Sequence, residues 1–183
     1  MDFKNNQILF VSEKWVDTKP DLGFTPTYRN FFYPFRQFGQ GHLNIIHLDE
    51  AALVYNTHID RILVDYCRNH DIKVVIFSLI GDSQLNPSME VYEKLKTMGI
   101  FMLFIWHDIG PGWGCNTITS LKDIGNLHVS VDNSSCAHEH VNVPSLIYIP
   151  APQDKSIFHP HRPDLDVSFM GSQRVQNRRQ YIQ

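Results

Sequence analysis

"IKVVIFSLIGDSQLNPSMEVYEKLKTMGIFMLFIW", residues 72–106, decides the fold class. The stretch opens and closes on apolar runs, Ile72–Leu79 and Ile100–Trp106. Neither alternates with polar residues. Val74-Val75-Ile76-Phe77 and Phe101-Met102-Leu103-Phe104-Ile105 are continuously apolar. A strand with one face in water alternates; a strand buried on both faces does not, and such strands belong to parallel sheets covered by helices. Between the two runs, Ser88–Met98 has helical spacing. Ser88 is placed to cap, Val91, Leu95 and Met98 form an apolar stripe, and Gly99 supplies the stop. Strand, helix and strand in this order predict a right-handed crossover unit.

The same plan extends in both directions. Apolar runs recur at Ile8–Val11, Leu43–Leu48, Leu127–Val131, Leu146–Ile149 and Val167–Met170. In Thr57–His70, Ile59, Ile62, Leu63, Tyr66 and Cys67 fall on one helical face, Thr57 and Asp60 resemble a capping box, and Arg68 and His70 suit the negative helix end. Thr117–Ile124 predicts a shorter helix stopped by Gly125. In Thr25–Phe38, Phe31, Phe32, Phe35 and Phe38 share a face, but Pro34 should kink or restart the helix. The expected fold is α/β: a Rossmann-like parallel sheet with helices on both faces. Residues 150–163 hold four prolines and no helical stripe, which reads as a stiff linker. The expected organisation is a domain over 1–150, a linker over 151–164, and the first strand and helix start of a further domain over 165–183.

The bulk properties narrow the function classes. A formal charge of -3 argues against a general nucleic-acid binder, which should carry a basic face. The three cysteines, Cys67, Cys115 and Cys136, lack zinc spacing, and a buried Cys67 thiol suits a reducing compartment. No apolar run approaches the roughly 20 residues that span a bilayer, and Met1–Gln7 is polar, so the chain reads as soluble and cytoplasmic.

Parallel α/β sheets bind ligands beyond the carboxyl ends of their strands. After the first strand come Ser12, Glu13, Lys14 and Trp15; after the second, Asp49 and Glu50; after the third, Ser78, Gly81 and Asp82. After the fourth come His107 and Asp108, then Gly110-Pro111-Gly112-Trp113-Gly114. His107 or Asp108 can serve as a general base or grip substrate hydroxyls, and Gly110 and Gly112, next to Trp113, let the loop approach a ligand closely. The plainer alternative is that His107 and Asp108 cap a turn. Gly171–Arg179 is the second candidate: backbone N–H groups at Gly171 and Ser172 can hold a phosphate, paired with Arg174, Arg178 or Arg179. A plain turn with a solvated basic face is its alternative. No set of three or four convergent ligands can be named around His138-Glu139-His140 or His159-Pro160-His161, so no metal site is expected. Asp164-Leu165-Asp166 spells a D-x-D that reads as chance. No dinucleotide G-x-G-x-x-G, Walker loop or G-x-S-x-G elbow is present.

The run "IYIPAPQDKSIFHPHRPDLDVSFMGSQRVQNRRQYI" resembles the interdomain crossing of glycosyltransferases with the GT-B fold, most closely the spore-maturation-protein-B type and its retaining relatives. The likeness rests on a proline-containing turn, Asp154, Phe158-His159-Pro160, and the phrase Asp166 to Ser172. "FRQFGQGHLNIIHLDE" (35–50), with Gly41-His42 opening a strand, is similar to the family's first helix and second strand. The resemblance implies the acceptor-binding half of a sugar transferase, cut just inside the donor-binding half. It implies a nucleotide-diphospho-sugar as co-substrate, with no other cofactor, and a glycan, lipid or small-molecule acceptor. By matching, Gly171 and Ser172 with Arg178 or Arg179 touch the donor diphosphate, and His107 or Asp108 faces the cleft. A fragment of this kind is expected to be inactive alone, and its Val167–Met170 strand could drive self-association. The other readings are a non-catalytic Rossmann-like binding module, or a receiver-like signalling module in which Glu13, Asp49 and Asp82 form an acidic cluster.

Overall fold

The computed structural model describes residues 7–32, 43–79, 81–107, 115–131 and 142–149. The expected linker and the segment beyond it lie outside these residues, as do Phe35, Phe38, Pro34 and the Val167–Met170 run.

Six strands form one sheet: β1 (Ile8–Ser12), β2 (Leu43–His47), β3 (Val74–Ser78), β4 (Phe101–Trp106), β5 (Leu127–Ser130) and β6 (Leu146–Tyr148). Their order is β2-β1-β3-β4-β5-β6, and every pairing is parallel. The fold is therefore the α/β Rossmann-like class that the unalternating runs at 74–77 and 101–105 predict. Four α-helices accompany the sheet among the described residues: α1 (Leu48–Leu53), α2 (Leu63–Asn69), α3 (Met89–Thr97) and α4 (Cys115–Leu121).

The strand order dictates which face each connection takes. From β2 onward every connection moves in one direction across the sheet, so right-handed crossovers place them on one face. That face holds the larger core. Leu9, Val11, Val75, Phe77, Met102, Phe104 and Trp106 pack there against Leu63 and Cys67 of α2, Val91, Tyr92 and Leu95 of α3, and Ile118 and Leu121 of α4. The connection from β1 to β2 moves the other way and takes the opposite face. There Phe31 packs with Phe10, Ile105, Val129 and Val131. Fully buried side chains of this size contribute roughly 1.5–3 kcal/mol each.

Local details refine the sequence reading. The helix expected over 57–70 is broken: a 3-10 turn at Ile59–Arg61 precedes α2. The Thr57–Asp60 capping box is replaced by His58, whose Nδ1 accepts from the Asp60 amide at 3.3 Å. The Asp60 carboxylate instead accepts from the Ser88 amide at 2.9 Å, tying this turn to the start of α3. Ser88 holds the N-cap position, but its hydroxyl makes no capping bond. Gly99 adopts φ +73°, the left-handed conformation that a helix stop favours. α1 follows β2 without a loop and was not expected from the sequence. Tyr28–Phe32 forms one π-helical turn. Cys67 is a buried free thiol, pushed up to about 12 by burial. Cys115 is disulfide-bonded.

Candidate functional site

The sheet has its topological switch point between β1 and β3, because the chain leaves β1 in one direction and continues from β3 in the other. Ligand crevices form beyond the carboxyl ends of strands at such points. Four polar side chains line up there, one from each of four neighbouring strands or strand ends: His47 from β2, Ser12 from β1, Ser78 from β3, and His107 just after β4. The register sets Ser12 beside both His47 and Ser78. Ser12 Oγ and His47 Nδ1 are 3.4 Å apart, and His107 Nε2 lies 3.0 Å from Ser78 Oγ. The row is thus two Ser–His pairs placed side by side. Ser12 also donates to the Glu13 carbonyl at 3.1 Å.

The row lies beneath an aromatic cover. Phe24, Tyr28 and Phe32 stack with successive centroids 4.5 Å apart. Tyr28 and Phe32 rest against His47 at 5.3 and 6.2 Å, and Phe31 meets His107 edge-on at 5.3 Å. The cover is anchored by Thr25, whose amide donates to the Lys14 carbonyl at 3.0 Å and whose hydroxyl accepts from the Tyr28 amide at 3.0 Å. Burial has an electrostatic consequence. It lowers the pKa of His47, with Glu50 the largest opposing influence, and it lowers His107 to about 4. His107 is therefore a neutral imidazole at pH 7, a hydrogen-bonding group rather than a cation.

Glu13 follows β1 immediately, one residue beyond Ser12. The chain there is held by Asp49 at the start of α1. Its fully buried carboxylate accepts from the amides of Lys14 (2.9 and 3.1 Å), Trp15 (2.8 Å) and Glu50 (3.0 Å). The Lys14 ammonium is engaged by Glu50 at 2.6 Å and sits 5.1 Å from the Trp15 ring centroid. Among the described residues the Glu13 carboxyl has no hydrogen-bond or ion-pair partner. Burial, and then the like charges of Asp49 and Asp17, raise its pKa to about 7. A carboxyl half ionised at neutral pH is suited to taking and returning a proton. Glu13 and His107 follow strands two positions apart in the sheet, so their backbones are separated by about 10 Å, two strand spacings.

Of the residues singled out in the sequence, His107 stands at the fourth-strand end, in the row. Its hydrogen bond to Ser78 crosses to the neighbouring strand, so it does more than close its own turn. Asp108, Gly110, Gly112 and Trp113 lie outside the described residues, as do Gly171, Ser172, Arg178 and Arg179. The receiver-like acidic cluster does not form. Asp49 is enclosed by backbone amides, and Asp82 accepts from the amide and hydroxyl of Thr117 at 3.0 and 2.8 Å. Among the described residues no three His, Cys, Asp or Glu side chains converge as metal ligands. Nor is any helix among them long and apolar enough to cross a membrane. Glu13, Ser12, Ser78 and His47 were not chosen from the sequence as site residues. The signal for the first three was their place after or at the end of a strand; what singles out Glu13 is burial without a cation, a tertiary property. In comparisons with known proteins the chain matches no family model, no curated protein and no solved structure, so its function is argued from the fold and this geometry.

Proposed function

We propose that the carboxyl ends of β1, β3 and β4 form the acceptor side of a glycosyl-transfer site, in which a sugar passes from a nucleotide-diphospho-sugar to a hydroxyl acceptor. The observation that carries this reading is the half-buried Glu13 carboxyl at the end of β1, beside the switch point of the sheet, which has no hydrogen-bond or ion-pair partner among the described residues and whose pKa burial raises to about 7. In the transfer, the acceptor oxygen forms a bond to the sugar's anomeric carbon as the bond to the diphosphate breaks. Glu13 takes the acceptor proton, and the nucleoside diphosphate leaves with the bonding electrons. A base with a pKa near the working pH is the efficient choice for this task. His107, neutral and hydrogen-bonded to Ser78, is a positioning group for the acceptor hydroxyl. The donor diphosphate is assigned to Gly171 and Ser172 with Arg178 or Arg179 on the strength of the sequence resemblance.

The test is transfer and donor hydrolysis by the whole protein, assayed across a panel of nucleotide sugars. Glu13→Gln is expected to lower kcat by about 10²–10⁴-fold, the usual worth of a general base. The KM for the donor should stay unchanged. In the wild type, kcat should rise with pH through a limb near 7, and the variant should lose that limb. Full activity in Glu13→Gln would overturn the role of Glu13. Ligand binding with no turnover on any donor would favour the non-catalytic binding module instead.

A further inference from the structure

A second concavity lies on the helical side of the sheet, away from the Ser–His row. It is a cavity of about 270 Å³ between the loop after β3, the first turns of α3, and α4. Its polar wall comes from Asp82, Asn86, Asn116 and Ser120, and its apolar wall includes Met89 and Tyr92.

The hydrogen bonds already made inside the wall define what it can still accept. Among the described lining residues Asp82 is the one charged side chain, and Thr117 and Asn116 donate to it, Asn116 at 3.5 Å. No cation among the described residues lines the cavity to hold an anion, and Asp82 disfavours one. Asn116 directs its amide nitrogen to Asp82, which leaves its amide oxygen as an acceptor. Ser120 donates its hydroxyl proton to the Asn116 carbonyl at 2.9 Å, which leaves its oxygen lone pairs. Asn86 donates through its amide nitrogen to the Gly81 carbonyl at 2.9 Å. The wall therefore combines amides and hydroxyls, which donate as well as accept, and such a lining matches a ligand whose hydroxyls do both. The exposed Met89 offers a surface for carbon-bound hydrogens, and the buried Tyr92 backs the wall behind it. The Tyr92 hydroxyl is buried with no hydrogen-bond partner, so this wall residue carries an unsatisfied polar group. The volume is just below the ~300–1,000 Å³ of typical small-molecule pockets, which sets the ligand at about the size of one sugar ring.

We infer that this cavity binds a small, uncharged polyol of monosaccharide size, through Asn86, Asn116 and Ser120. The site does not depend on Glu13 or on the transfer reaction. It is tested by titrating the whole protein with myo-inositol, methyl glucoside and glycerol and following backbone amide shifts, with adenosine monophosphate as a charged aromatic control. Saturable shifts at Asn86, Asn116 and Ser120 with a millimolar Kd are expected for at least one polyol. Ser120→Trp, an exposed position, should fill the cavity and weaken binding at least about tenfold with Tm unchanged. Asn116→Ala, which removes the amide oxygen without adding bulk, should weaken binding as well. The inference is overturned if no polyol gives saturable shifts, if the shifts centre on His107, if both variants bind as the wild type does, or if the nucleotide binds these residues more tightly than any polyol.

Discussion

Burial without a counter-charge has opposite consequences for Glu13 and for the buried histidines. Glu13 has an ordinary pKa of 4.5 when unfolded and about 7 when folded. Between those values the folded protein holds a proton that the unfolded chain has released. Stability contributed at this position is therefore present at low pH and lost as pH rises through about 7. His107 behaves in the reverse sense. The unfolded chain takes up its proton near 6.5 and the folded protein only near 4, so stability falls as pH drops below 6.5. His47 and His128 shift in the same direction as His107, each chiefly through burial. Thermal melts of wild type and Glu13→Gln over this range separate the two effects. The variant should gain on the wild type steadily as pH rises from 4.5 to about 7 and hold that gain above it. A constant difference would show that the carboxyl is not perturbed. At Tyr92, the hydroxyl is buried without a partner, so its removal in Tyr92→Phe should leave stability unchanged or raise it by about 1 kcal/mol or less. A loss above about 2 kcal/mol in chemical denaturation would mean that the hydroxyl is satisfied after all.

At the scale of elements, β4 and β5 are joined by a ladder of rings. Phe77, Phe104 and Trp106 stack in sequence, and His128 lies against Phe104 and Trp106. The Trp106 indole N–H donates to His128 Nδ1 at 3.1 Å, which puts the proton of neutral His128 on Nε2. Gly125 closes over this ladder. A Cβ there would stand 2.6 Å from the Phe104 ring and 2.7 Å from His128 Nε2. Gly125→Ala should therefore cost about 1–3 kcal/mol through overpacking, measured by denaturant unfolding. An unchanged midpoint would show that the ladder yields freely. The sequence reading placed a glycine stop here, but the residue is required for close approach between elements, which only the tertiary contact reveals. Other elements divide in the same way. β3, β4 and α3 were legible because continuous apolar runs and a helical stripe are local signals. α1 was not: Leu48-Asp-Glu-Ala-Ala-Leu53 follows its strand with no turn residue between, and six residues are too few for a periodic pattern. The break at Ile62 was hidden because its apolar spacing continues across it. The cap at His58 was hidden because the ring reaches a backbone amide that a Ser or Thr would ordinarily hold.

For the whole molecule, the strand order turns scattered residues into one site. Ser12, His47, Ser78 and His107 are far apart in sequence; parallel register sets His47, Ser12 and Ser78 at one level, and His107 follows two residues beyond Ile105, the partner of Ser78 on the neighbouring strand. Strand ends were readable, so His107 could be named in advance. The pairing of each histidine with a serine required the register, and the lid of Tyr28–Phe32 required knowing that the β1–β2 connection crosses the opposite face. The choice of Glu13 over Asp49 required knowing which carboxylate is enclosed by amides and which stands alone. That contrast is the centre of the proposed chemistry, and carbon-detected NMR titration of the Glu13 side-chain carboxyl tests it most directly. A midpoint about 7 is the expected result and identifies a group ready to exchange a proton at neutral pH. A midpoint at the ordinary 4.5 would mean that the carboxyl is solvated or paired, and would remove Glu13 as the base.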